Sequence, residues 1–560
     1  MNEQLRYVGV YLDYEKVYGR KPTWEMVKEL LRPYSPRHLL NALAYISTQL
    51  GRGEGGRDIE MQAHLIRSFF PKNYAKVLAT AQRFQREKGF AFVAVFAEVH
   101  LRNFVKAILI HCESTTSIPP PSLQPLGDVF LMLNDLTDYP RDVPNDQEAF
   151  IGNLLAMLTQ FRSEPMAQSL ARSFDLFLTD RTHLRDSPNY IDLPQEAASV
   201  LGCDPVIYWA LQFANYGRIL AFEDLIPDGE NLSLHFDSFA AGYELSVQET
   251  AAFRRMTLGD FDVMKEAATA RYGQEFKQFD ALVLAKTPII AFSNCAFCPS
   301  RILLEEKLRH GLYHVHLDPA LPEAQRARFQ RFFGDVFADY ARTLLKRLYG
   351  DRFIDLDATP LAADGAKVCD AAIRLDRNLV LIEFKSGVIP AAVRSATDSG
   401  LLTRSINDTY VNAIRQLDST AQKIEQGGLA TLGIRPDDIS NYLPLIITYD
   451  STPMLDPLYG YIMSQVNKGH SYPSLTKERP IQMMSCDELE CLSGLHSKDL
   501  QLHHMFLHKA YSDHAGGSFK NHWDTLGYEL VIDPELQALF DRHSQRAIDA
   551  MTARRTPAAR

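Results

Sequence analysis

Through the first half of the chain, apolar residues recur at intervals of three and four, the period of a helix that buries one face. The pattern predicts helices over residues 24–31, 37–50, 75–88 and 126–136, and again over 195–213 and 246–272. The texture changes at KTPIIAFSNCAFCPS, residues 286–300, where short apolar runs alternate with turn residues, and a domain boundary is expected between 273 and 288. Beyond it the pattern predicts a helix over 323–349, strands over 352–357, 367–375 and 379–385, a helix over 404–426 and a strand over 442–450. That order is an α-β-β-β-α-β unit, a mixed sheet with flanking helices. A further strand at 480–484 runs into the helical DELECL, residues 487–492.

A chain of 560 residues exceeds what one hydrophobic core supports. The expected fold class is therefore multidomain: a mainly α-helical N-terminal half followed by an α/β domain. The expected segments are a helical N-terminal domain (1–113), a helical middle domain (126–285), the α/β domain (286–490) and a C-terminal extension (491–560) ending in a frayed polar tail. STTSIPPPSLQP, residues 114–125, either divides two helical domains or forms a long surface loop within one.

With 46% hydrophobic and 23% charged residues, the composition is that of a globular protein and excludes collagen-like, coiled-coil and wholly disordered chains. Lys and Arg number 59 against 69 Asp and Glu, a net charge of −10. This is no basic coat, so a polyanion would be gripped locally or through a metal. Seven cysteines in so long a chain suit a reducing compartment, and the cytoplasm is expected. Residues 1–20 hold no apolar signal core, and the apolar stretch 89–112 is interrupted by Glu98, His100, Arg102 and Lys106. Neither export nor a membrane span is expected.

The stretch KVCDAAIRLDRNLVLIEFKSG, residues 367–387, carries the chemistry. Phosphodiester hydrolysis uses carboxylates on rigid elements to hold a hard cation, and a positioned Lys to orient the attacking water. Glu383 and Lys385 lie two apart on one strand and point to the same side. Burying Ala371, Ile373 and Leu375 together with Val380, Ile382 and Phe384 requires that residue 371 face 384 or 382. Either register sets Asp370 opposite Lys385 or Glu383, on the other face. The turn Asp376-Arg377-Asn378 fits both registers. Two further acid-x-Lys triplets, Glu275-Phe276-Lys277 and Glu305-Glu306-Lys307, sit in helix-like sequence without a preceding strand. The plain alternative at 383–385 is a surface hairpin bearing a solvated ion pair.

Asp370 followed by Glu383-Phe384-Lys385 within this element order resembles the PD-(D/E)xK nuclease superfamily, the restriction-endonuclease-like fold, over residues 329–450. The resemblance implies Mg²⁺ (or Mn²⁺) held by Asp370, Glu383 and the backbone carbonyl of Phe384, with Lys385 assisting the water. Cys369 stands where many relatives have Pro. Gly334-Asp335-Val336-Phe337-Ala338-Asp339-Tyr340 matches the pattern G-x-x-F-E-x-Y of the first core helix, except that Ala338 replaces the Glu. Asp335 and Asp339, four apart on one helical face, are the candidates to substitute for that acid, the plain alternative being that both are solvated. From the later helix Gln416 is the first supporting choice and Lys423 a weaker one, with Gln422 beside them on its polar face. The resemblance implies a metal-dependent nuclease, acting on DNA more readily than RNA. The helical half would recognise or regulate, with a protein partner or activator and an oligomer both compatible, and prokaryotic anti-phage defence is the analogy. The alternative is a catalytically inactive nuclease-fold module within a complex, for which Ala338 is the best support.

Cys295-x2-Cys298 followed by His310, His314 and His316 has near-finger spacing. A closed zinc site needs four convergent ligands, however, and the intervening sequence reads as a helix running into a strand, so ordinary packing of thiols is expected and structural Zn²⁺ is not. The C-terminal histidines 503, 504, 508, 514 and 522 lack the Glu of a metalloprotease motif. GRGEGGRD, residues 51–58, lacks the Gly-Lys-Ser/Thr ending of a phosphate-binding loop.

Overall fold

The structure is a computed structural model. It describes residues 10–52, 59–88, 93–137, 147–158, 165–222, 225–273, 276–357, 368–394, 399–450, 454–468, 475, 480–496, 503–512 and 516–554. Residues 53–58 of the glycine-rich stretch, Glu275, Lys367, His514, the tail 555–560 and the side chains of His503 and His504 lie outside the described residues.

The chain divides into two compact units, each assembled from separated stretches. The first comprises Met1–Val143, Ala198–Gly311 and Ser544–Arg560, and the second Pro144–Ala197 and Leu312–His543. This is a different division from four consecutive segments. Residues 114–125 fall inside the first unit as a loop that leads into the helix Gln124–Leu136, and in the loop the Ile118 carbonyl accepts from the Ser35 N–H at 2.7 Å.

The first unit is mostly helical. It holds a parallel strand pair, Val10–Tyr11 with Val93–Ala94, and a three-stranded sheet in which Ile289–Ala291 pairs in parallel with Leu258–Asp260 and antiparallel with Ala296–Phe297. Two expected helices are broken. The one over 246–272 is interrupted by the strand Leu258–Asp260, because Asp260 caps a new helix by accepting from the N–H groups of Asp262 and Val263. The one over 195–213 stops at Gly202, whose φ of 77° ends the first helix, and restarts at Pro205 behind the cap Asp204. The expected strand after His310 is absent, since one helix runs through Arg301–Val315.

The second unit carries a five-stranded sheet. Its elements in order are α1 (Glu323–Tyr349), β1 (Phe353–Asp355), β2 (Ala371–Leu375), β3 (Asn378–Lys385), α2 (Asn412–Glu425), β4 (Asn441–Thr448) and β5 (Gln482–Ser485). The strand order is β5-β4-β3-β2-β1; β2 runs antiparallel to both of its neighbours, β1 and β3, and β3, β4 and β5 run parallel. Parallel neighbours need a crossover, which between β3 and β4 includes α2. The apolar run Leu379-Val380-Leu381-Ile382 is buried on both faces, as a central strand requires. On α1 the stripe Phe329, Phe333, Phe337, Tyr340 and Leu344 is buried, with Phe337 against Phe384 (6.4 Å between ring centroids). On α2 the stripe Ile414, Leu417, Ala421 and Ile424 shares a core with Leu379 and Leu381. Successive residues of β3 thus meet α1 and α2 alternately.

Candidate active site

Of the two registers that the apolar pattern allows, the hairpin takes the one in which Ala371 faces Ile382. Asp370 therefore stands across from Glu383, one residue before β2 begins. Among the described residues the β2 edge of β3 has no strand partner beyond Ile382, and there the Asp370 carboxylate accepts from the Phe384 N–H through Oδ2 at 2.6 Å. A strand residue sends its N–H and C=O to the same edge, so the Phe384 carbonyl flanks Asp370.

Glu383 and Lys385 project to the α2 side. The Lys385 ammonium donates to Glu383 Oε1 (2.8 Å) and to Gln416 Oε1 (3.0 Å). Glu383 is 2% exposed, and its Oε2 has no hydrogen-bond partner among the described residues. Burial, and then the charge of Asp370, push the Glu383 carboxyl up to about 7, while Lys385 pulls it down. Asp370 is also raised, first by burial, against the Phe384 N–H; among charges Asp357 raises it and Arg342 and Lys385 lower it.

Thr420 ties the two carriers of the site together. Its hydroxyl accepts from the Cys369 N–H (2.7 Å) and donates to the Gln416 carbonyl (2.8 Å), linking the residue before Asp370 to α2. After Lys385 the chain is pinned by Asp450, which accepts from the Ile389 N–H (2.8 Å) and pairs with Arg394 (2.5 Å).

The structure brings together Asp370, Glu383, Phe384, Lys385 and Gln416. It takes Asp335 and Asp339 elsewhere. Asp335 accepts from the Ser187 hydroxyl at 2.6 Å, and Asp339 pairs with Arg181 and with His183 (3.0 Å). Both carboxylates are thus engaged by residues other than Asp370, Glu383 and Lys385. Gln422 donates to Asp418 (2.6 Å) rather than joining Lys385. Sequence reasoning missed Arg342, Asp357 and Thr420. Arg342 lies on the face of α1 that Ala338 occupies, four residues on, a spacing that could have drawn attention to it.

The donor set of two carboxylates and a carbonyl is all oxygen, as a hard divalent cation prefers, and the unpartnered Glu383 Oε2 is an acceptor such a cation would satisfy. Among the described residues no three His, Cys, Asp or Glu side chains are grouped to hold a metal, so main chain or solvent would complete the shell. At the zinc candidates, the Cys295 thiol donates to Glu230 (3.6 Å) and the Cys298 thiol to the Ser300 carbonyl (3.5 Å). Burial pushes these thiols up to about 11 and about 12, away from the thiolate a zinc ligand must be. His310 lies 4.0 Å from Glu306, and the His314 ring packs edge-on against Tyr313. His508 meets His522 at 3.2 Å. No helix among the described residues is long and apolar enough to cross a membrane. Compared with known proteins, the chain matches no family model, no curated protein and no solved structure, which leaves the geometry of the site to carry the functional reading.

Proposed function

We propose that the chain is a metal-dependent nuclease that hydrolyses phosphodiester bonds, of DNA in preference to RNA, on a restriction-endonuclease-like core. One observation carries this reading: Asp370, Glu383 and Lys385 meet at the end of β3, with Glu383 Oε2 buried and unpartnered. Asp370, Glu383 and the Phe384 carbonyl would hold Mg²⁺ or Mn²⁺. Such a cation, when bound, neutralises charge on the phosphate and makes water a better nucleophile. Glu383 must be ionised to serve, and burial with the charge of Asp370 favours its protonated form, so cation binding competes with the proton and should weaken as pH falls. Lys385, fixed between Glu383 and Gln416, presents an ammonium that orients the attacking water. The helical remainder serves recognition or control, a division of labour suited to defence against foreign DNA.

The test is incubation of the purified protein with plasmid, linear and single-stranded DNA and with RNA, in Mg²⁺ or Mn²⁺. Cleavage should fall by about 10²-fold or more in Asp370→Ala and in Lys385→Ala. Cleavage unaffected by either substitution would sink the proposal. Ala338, in the place of a helix-borne acid, favours a second reading, a silent nuclease-fold module that binds nucleic acid or protein. Binding of nucleic acid without cleavage in either metal would select it.

A further inference from the structure

The acids Asp335 and Asp339 of helix α1 are engaged by Ser187, Arg181 and His183, and the same helix carries a cation, Arg342, to the Phe384 ring. Gly334, Ala338 and Arg342 are spaced four apart on one face of α1. At one end of that face, a side chain at Gly334 would come within 3.5 Å of the Ser386 hydroxyl, just past β3. At the other end, the Arg342 guanidinium lies 5.8 Å from the centre of the Phe384 ring. Its Nη2 donates to Asp357 Oδ2 at 2.7 Å, and its Nε is 3.4 Å from Asp355 Oδ1. Both partners are set by β1. Asp355 faces Ala371, and the next residue, Leu356, donates its N–H to the Asp370 carbonyl at 3.2 Å, so Asp357 follows beside the start of the Asp370 strand.

Arg342 is thus docked on the α1 face over the ring of Phe384, the residue between Glu383 and Lys385, and from there its charge lowers the Asp370 carboxyl. Its Nη1 makes no hydrogen bond among the described residues. Asp357 is 64% exposed, so its pairing with Arg342 is a wet one of small energy that a better acceptor can displace. A phosphate is such an acceptor, because the planar guanidinium fork matches two of its oxygens.

We propose that Arg342 contacts the substrate, its guanidinium binding non-bridging oxygens of the phosphodiester presented to Asp370 and Glu383, and that Asp357 is a positioning residue holding Arg342 there between substrates. The inference rests on the nuclease reading above. It replaces an acid at position 338 of the helix with a phosphate-binding cation one turn later.

Two measurements decide it: binding of fluorescein-labelled duplex and single-stranded DNA and RNA by anisotropy in Ca²⁺, and Mn²⁺ binding by calorimetry. Arg342→Ala should weaken nucleic-acid binding about tenfold or more, the loss of one desolvated charged hydrogen-bond pair. Its Mn²⁺ affinity should stay within about twofold of the parent, and Arg342→Lys should recover part of the loss. Asp357→Asn should leave a smaller defect, with Mn²⁺ binding again preserved. If Arg342→Ala does not fold, as judged by its melting curve, Arg342→Gln replaces it. Nucleic-acid binding within twofold of the parent in these variants overturns the role of Arg342. If that happens while the parent binds Mn²⁺ and cleaves and Asp370→Ala does neither, the nuclease reading stands without it. If the parent itself neither binds Mn²⁺ nor associates with any of the nucleic acids, both fall together.

Discussion

Glu383 is where the interests of folding and chemistry diverge. Its carboxyl is buried beside Asp370, and one of its oxygens has no partner, so the charged form is held at a cost that Lys385 only partly offsets. The sign follows from linkage. The folded carboxyl, at about 7, lies above its ordinary value near 4.5, so the folded state binds the proton more tightly than the unfolded chain does. Stability from this group is therefore full below pH 4.5, declines as pH rises through 7, and is gone above it. Glu383→Gln, which keeps the shape and removes the charge, should be more stable than the parent at pH 8 by up to about 3 kcal/mol and indistinguishable at pH 4. Mg²⁺ should raise the melting temperature of the parent at pH 8 and leave that of the variant unchanged. Melting curves across this pH range check both statements. A variant no more stable than the parent at pH 8 would mean that the buried charge is already compensated.

At the scale of elements, the site depends on the β2–β3 hairpin and on its tie to α2. Thr420 is that tie, since its single hydroxyl satisfies the Cys369 N–H and reaches the Gln416 carbonyl. Thr420→Val keeps the volume but leaves a buried N–H without an acceptor, a loss of about 1–3 kcal/mol. It should lower both the melting temperature and the cleavage rate, while Thr420→Ser, which retains the hydroxyl, should restore most of each. Unchanged cleavage in a destabilised Thr420→Val protein would separate the tie from the chemistry. The hairpin itself was legible in the sequence because a strand's period of two converts apolar alternation into a register, and only two registers bury Ile373 against its partners. The choice between them lay in the turn, a two-residue connection in which Asp376 adopts a φ of 55°, and composition alone did not decide it. The helices were less legible. Spacing shows that Asp335 and Asp339 share a face of α1, but which neighbour that face meets depends on Ser187 and Arg181, 148 and 158 residues earlier. Arg342 and Asp357 escaped notice for the same reason: each is an ordinary polar residue on its own element, and only the pairing of β1 with β2 gives them a joint position.

For the whole molecule, the net charge of −10 makes a prediction about how a polyanion binds. Around the site the carboxylates of Asp355, Asp357, Asp370 and Glu383 outnumber the cations Arg342 and Lys385. Without a divalent ion this face repels phosphate, and Arg342 remains engaged by Asp357. A protein that binds through a broad basic surface releases many counterions, and its affinity falls steeply with monovalent salt even in chelator. This chain should behave differently. In EDTA, association with a labelled DNA should be weak, and Ca²⁺, which occupies oxygen sites, should strengthen it by at least about tenfold. The dependence on KCl measured in Ca²⁺ should be shallow, corresponding to one to a few phosphate contacts. Anisotropy titrations over a range of KCl, with and without Ca²⁺, measure both. Tight, EDTA-resistant binding with a steep salt slope would move the nucleic-acid contact away from Asp370 and Glu383 to a basic surface elsewhere on the chain. A cation-dependent, salt-insensitive complex would locate it at the acidic end of β3.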